Sequence, residues 1–90
     1  MNIVAVKIKL MPDSPKTDMM KIEKSVKSVL EKNRVKNPKF EVQPIAFGLK
    51  ALIMMFGWPE EKPLEELEEK LKKIKGVGSV HVIDIRRAIG

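Results

Sequence analysis

The order of periodic segments predicts an α+β fold, a four-stranded antiparallel sheet carrying two helices on one face. Three observations lead there. Both ends of the chain alternate apolar and polar residues with period two. Two internal segments repeat apolar residues with helical spacing. Between them lies an apolar run, "QPIAFGLKALIMMFGW" (Gln43 to Trp58), broken by Pro44 and Gly48.

The first segment, "NIVAVKIKL", places Val4, Val6, Ile8 and Leu10 on one face and Lys7 and Lys9 on the other, as a half-buried strand does. "MPDSPKT" ends it with two prolines. Thr17 or Asp18 then offers a helix cap. In "DMMKIEKSVKSVLEKN", Met19, Ile22, Val26, Val29 and Leu30 form one helical stripe. Asn37-Pro38 disfavours continuation of the helix. "FEVQ" alternates again, with Phe40 and Val42 inward and Glu41 and Gln43 outward.

The apolar run fails as a helix, because Pro44 and Gly48 sit inside it and apolar residues cover every side. As a hairpin it works: one strand ends at Pro44, Gly48 supplies a permissive φ, and "LKALIMMF" returns as a central strand. Leu49, Ala51, Ile53 and Met55 form one face of that strand; Lys50, Leu52, Met54 and Phe56 form the other. Either set could face the core, and Leu52, Met54 and Phe56 are favoured. Trp58 beside Pro59 reads as a strand-end lid, and "GWPEEKP" as a turn.

"PLEELEEKLKKIKG" carries Leu64, Leu67, Leu71 and Ile74 as a second helical stripe. Pro63 suits a first turn and Gly76 a C-terminal stop. Glutamates in the first half and lysines in the second complement the helix dipole. "SVHVIDIRR" reads as the last strand. The resulting β-α-β-β-α-β order in 90 residues is that of a ferredoxin-like sandwich, a single domain with sheet order 4-1-3-2.

Composition narrows the function. The net charge is +6, which favours polyanionic partners or acidic protein surfaces. The absence of Cys removes disulfides, thiolate metal sites and thiol nucleophiles, and is compatible with a cytoplasmic setting. The longest lysine-free apolar run, "ALIMMFGW", falls far short of the roughly 20 residues a membrane helix needs, and no signal peptide is expected.

Catalytic groups are sparse. His81, the only histidine, lies within the last strand, and the glutamate pairs belong to a solvated helix face. No phosphate loop and no metal-ligand spacing occur, so no cofactor is expected. Acylphosphatases share this topology but need an arginine-bearing phosphate loop after the first strand, where this chain has "MPDSPK". These absences argue against an enzyme. A small basic RNA-binding sandwich fits the charge and the element order. Such modules, however, stack bases on aromatics of strands one and three, and in this chain only Phe56 is available. Direct nucleic-acid binding is therefore disfavoured. A regulatory or dimerising module of the same fold would lack any recognisable site.

Two features remain. A turn built from Ile45, Ala46 and Phe47 is apolar where turns are usually polar. It either folds back as a local lid or docks on a partner. Near the C-terminus, Asp84, Arg86 and Arg87 could address a carboxylate or phosphate.

At these residues the chain resembles a known family. "VxxKIKLMPDSP", "PIAFGLKAL" and "VHVIDIRR" together are similar to archaeal elongation factor 1-beta over almost the full chain; the middle motif is the specific one. The resemblance implies a guanine-nucleotide exchange factor for elongation factor 1-alpha, without catalytic chemistry or cofactor of its own. Eukaryotic members end in a Gln-Lys-Leu-like tail whose lysine is implicated at the magnesium site. This chain ends in "RRAIG" with no lysine after Lys75, so the displacing group is open between Arg86, Arg87 and apolar wedging alone. The topology puts the Pro44–Gly48 turn and the C-terminus at opposite ends of strands about 30 Å long. The expected partner-binding residues are Pro44, Ile45, Phe47, Gly48, Leu49 and Lys50 at one end, and Asp84, Arg86 and Arg87 at the other.

Overall fold

A computed structural model describes residues 2–87. Its elements are β1 (Ile3–Pro12), α1 (Met19–Lys32), β2 (Lys39–Pro44), β3 (Lys50–Pro59), α2 (Glu65–Lys72) and β4 (Val77–Arg87). The strands form one antiparallel sheet in the order β2-β3-β1-β4, the expected order read from the other edge. The helices pack on each other and on the sheet, α1 over β3 and α2 over β4.

The core grows from the period-two pattern of β1. Val4, Val6, Ile8 and Leu10 are buried and face Trp58, Phe56, Met54 and Leu52 in register across β3. Onto these rows α1 lays Ile22, Val26 and Leu30, and α2 lays Leu67 and Leu71. The favoured face of β3 is thus the core face. Ala51 and Ile53 are buried as well, although they point to the face without helices. Ile53 lies between Lys9 and Glu41 in register, whose aliphatic stems flank it.

Local chemistry sets the element ends. The Asp18 carboxylate caps α1 by accepting the Met20 N–H at 3.0 Å, while the Thr17 hydroxyl donates to Asp13 instead. At the other end Arg34 takes φ 63°, its N–H reaches the Glu31 carbonyl, and the Val35 N–H reaches that of Leu30. This is a Schellman stop with arginine where glycine is usual, and it buries Val35 against the core. The helix therefore ends ahead of Asn37-Pro38. Gly76, at φ 96°, turns the chain from α2 into β4, and its carbonyl accepts the Asp13 N–H at 2.9 Å.

One expectation needs correction, and β4 holds an irregularity. Val42 points to the helix side but is 46% exposed, because it sits on edge strand β2 beyond the cover of α1. In β4 the simple alternation is interrupted: Lys7 pairs with Asp84 and Ile8 with Val82, so Ile83 is the extra residue of a bulge.

Candidate functional site

The hairpin between β2 and β3 is closed by the Pro44–Lys50 pair, and the Ile45 N–H donates to the Leu49 carbonyl at 2.8 Å. Inside it the Leu49 N–H donates to the Ala46 carbonyl at 3.3 Å. The two residues between, Phe47 (φ 62°) and Gly48 (φ 73°), are both left-handed. This is the mirror-image turn favoured by the twist of hairpins, where Asn-Gly is the usual pair. Gly48 adopts it freely. Phe47 does not: left-handed backbone costs an L residue with a bulky side chain about 1–2 kcal/mol.

The strain brings no burial in return, for Phe47 is 93% exposed. The local-lid alternative is thereby overturned, since a turn wound this way throws the ring outward. Ile45 and Leu49 are half-buried beneath the turn, while Pro44, Gly48 and Lys50 are exposed. All six hairpin residues expected from the sequence come together at this end.

The second group is split. Arg86 pairs with Ala5, and Arg87 with Val4, so their side chains leave β4 on opposite faces. On the open face the Arg86 Nε lies 2.8 Å from Asp84 Oδ2. On the helix side the Arg87 Nη2 donates to Glu60 Oε1 at 3.2 Å. Both guanidiniums are largely exposed, so these ion pairs hold them only weakly. Asp84 and Arg86 thus lie together on the open face, apart from Arg87 on the helix side. Residues 88–90 of the expected tail lie outside the described ones.

Sequence reasoning missed several neighbours. Glu60 reads from the sequence as part of a plain turn, yet it carries Arg87. Exposed apolar residues also occur along the sheet: Met20 and Val42 near the hairpin tip, Ile83 at the mid-strand bulge of β4, and Ile3 and Ile85 toward the opposite end. The Met20 signal was present, since Met20 falls outside the stripe of α1; that of Ile83 was not, because a bulge has no single-sequence signature.

Fold and site together define a ferredoxin-like sandwich that offers side chains at both ends of its strands. The same architecture occurs in the ACT domain of a GTP pyrophosphokinase from Chlorobium tepidum, with a TM-score of 0.64 at 17% identity over 92% of this chain and 100% of that one. At that identity the likeness concerns the fold alone. The sequence goes further. Residues 5–88 match the model of the EF-1 guanine nucleotide exchange domain. Elongation factor 1-beta of Methanosarcina barkeri is 40% identical over 97% of this chain and 99% of its own length. That of Thermofilum pendens is 37% identical over the whole of both chains. The chain belongs to the EF-1 guanine nucleotide exchange family. Its function is that of a guanine-nucleotide exchange factor in translation elongation.

Proposed function

We propose that this chain speeds GDP release from elongation factor 1-alpha by contacting it at both strand ends. Ile45, Phe47, Leu49 and Lys50 engage one region, and Asp84, Arg86 and Arg87 another. No covalent chemistry is needed. A factor that binds the nucleotide-free GTPase more tightly than the GDP-bound form must, by reciprocity, weaken GDP binding by the same factor. Each tenfold of that preference corresponds to about 1.4 kcal/mol of contact energy. The setting would be cytoplasmic, where translation proceeds.

The observation that carries this is Phe47, 93% exposed on a strained turn. An aromatic held rigid and unburied is suited to fill a partner's pocket. RNA binding finds less support: Phe40, Phe56 and Trp58 all lie on the helix side of the sheet, so the open face offers no Phe, Tyr or Trp on which bases could stack, only the imidazole of His81 on edge strand β4.

The test is release of a fluorescent GDP analogue from purified elongation factor 1-alpha at fixed salt, with increasing amounts of this protein. Wild type should accelerate release, and Phe47→Ala should reduce the acceleration about tenfold or more. Wild-type acceleration left intact by Phe47→Ala would remove the hairpin tip from the mechanism.

A further inference from the structure

The hairpin tip is not isolated. A groove of about 360 Å³ runs from it across the first turn of α1, lined among others by Gly48, Lys50, Val42, Met19, Met20 and Pro15. We infer that Met20 and Val42 form a second apolar anchor beside Phe47, in a groove that receives an apolar ridge bordered by carboxylates on the same GTPase. This inference rests on the proposed role of the hairpin.

Continuity is the first argument. Gly48 belongs to the tip and Lys50 to its closing pair, and both line the groove, so a partner seated on Phe47 lies against Met20 and Val42 as well. Exposure is the second. Met20, which lies outside the α1 stripe, is 76% exposed and Val42 46%, although Ile22, Val26 and Leu30 of that stripe and the core rows of β1 and β3 are buried. A flexible, polarisable methionine adapts to the shape of an incoming surface.

Charge supplies the third argument and selects the occupant. Lys50 lines the groove. Lys16, Lys21 and Lys75 line the neighbouring depression, which shares Thr17 and Asp18 with it. Asp13 and Asp18, which accept the Thr17 hydroxyl and the Met20 N–H, are the acids of these two linings, and the four lysines outnumber them. The rim is therefore basic around an aliphatic floor. That combination fits a protein surface bearing Asp or Glu beside apolar side chains. It offers little to a nucleic acid, which would need rings to stack on.

The experiment follows GDP-analogue release against concentration of the full-length exchange factor, for Met20→Gln/Val42→Thr, Lys50→Glu, Met20→Leu and Phe47→Ala. The double variant should raise the half-saturating concentration about tenfold with little change in the saturating rate. Met20→Leu should restore near wild-type behaviour. Lys50→Glu should weaken binding most at low salt. The altered side chains are solvent-exposed, and thermal melts check that the fold is kept. If only Phe47→Ala has an effect, the groove proposal is overturned and the tip reading stands. If only the groove variants have an effect, the groove stands and the tip reading falls. If neither matters, or if the groove variants change RNA retention alone, the groove proposal is overturned.

Discussion

Trp58 donates its indole N–H to the Lys62 carbonyl at 2.9 Å, and the Lys62 ammonium sits 4.7 Å from the centre of the same ring. One residue thus closes the β3–α2 loop twice over the strand-end lid. Phe56 meets the same indole edge to face at 6.0 Å. Trp58→Phe removes the donor and part of the packed volume. We expect a loss of about 2 kcal/mol, which lowers the Tm by roughly 8–15 °C in a domain of this size. Thermal unfolding followed by circular dichroism measures it; a Tm within 2–3 °C of wild type, well under the scale of ~1 kcal/mol, would show that the hydrogen bond adds nothing.

Phe47 presents the opposite case, a residue at odds with its own backbone. Asparagine tolerates left-handed φ far better than phenylalanine. Phe47→Asn should therefore stabilise the domain by about 0.5–1 kcal/mol, raising the Tm by roughly 2–8 °C, while nucleotide release slows. Parallel melts and exchange assays would detect the divergence. A variant that loses both stability and exchange would mean that the left-handed turn costs phenylalanine nothing.

Arg34 provides the control. Its left-handed conformation closes α1 far from both the hairpin tip and the groove. Arg34→Gly should add up to about 1 kcal/mol, by removing the clash of Cβ with the backbone. Exchange rates should stay at the wild-type level. A fall in Tm would mean that the arginine side chain contributes more than its backbone strain takes away.

Gly76 cannot be replaced so easily. A Cβ there would stand 2.9 Å from the Thr17 Cγ2, at a φ of 96° that side chains rarely adopt. Gly76→Ala should destabilise by about 1–3 kcal/mol. Equilibrium urea unfolding would show this as a lower midpoint with an unchanged slope. An unchanged midpoint would mean that the α1 entry loop yields without loss.

The architecture was legible because local periodicity and global burial agree in this chain. Val4 to Leu10 in β1, the Ile22–Val26–Leu30 stripe and the Leu67–Leu71 stripe all face the side their spacing indicates. Pro44 and Gly48 placed the hairpin. What stayed hidden depends on longer-range geometry. Val42 has the right parity to be buried, but the position of α1 leaves it bare. Arg34 ends a helix without the glycine that would have announced it. Adjacent Arg86 and Arg87 read as a pair in one dimension, whereas the pleat sends them apart.

The sheet order has a mechanical consequence. The strand that carries the hairpin tip, β3, and the strand that carries the arginines, β4, never touch; each is zipped to β1 along most of its length. A load applied between the two ends runs down β3, across into β1 and out along β4. It is directed along the strands, at right angles to the rungs of both ladders. Those rungs must then yield together and cannot be peeled one by one. The molecule is accordingly a stiff strut, and a displacement imposed at Phe47 is delivered to Arg87 with little lost on the way.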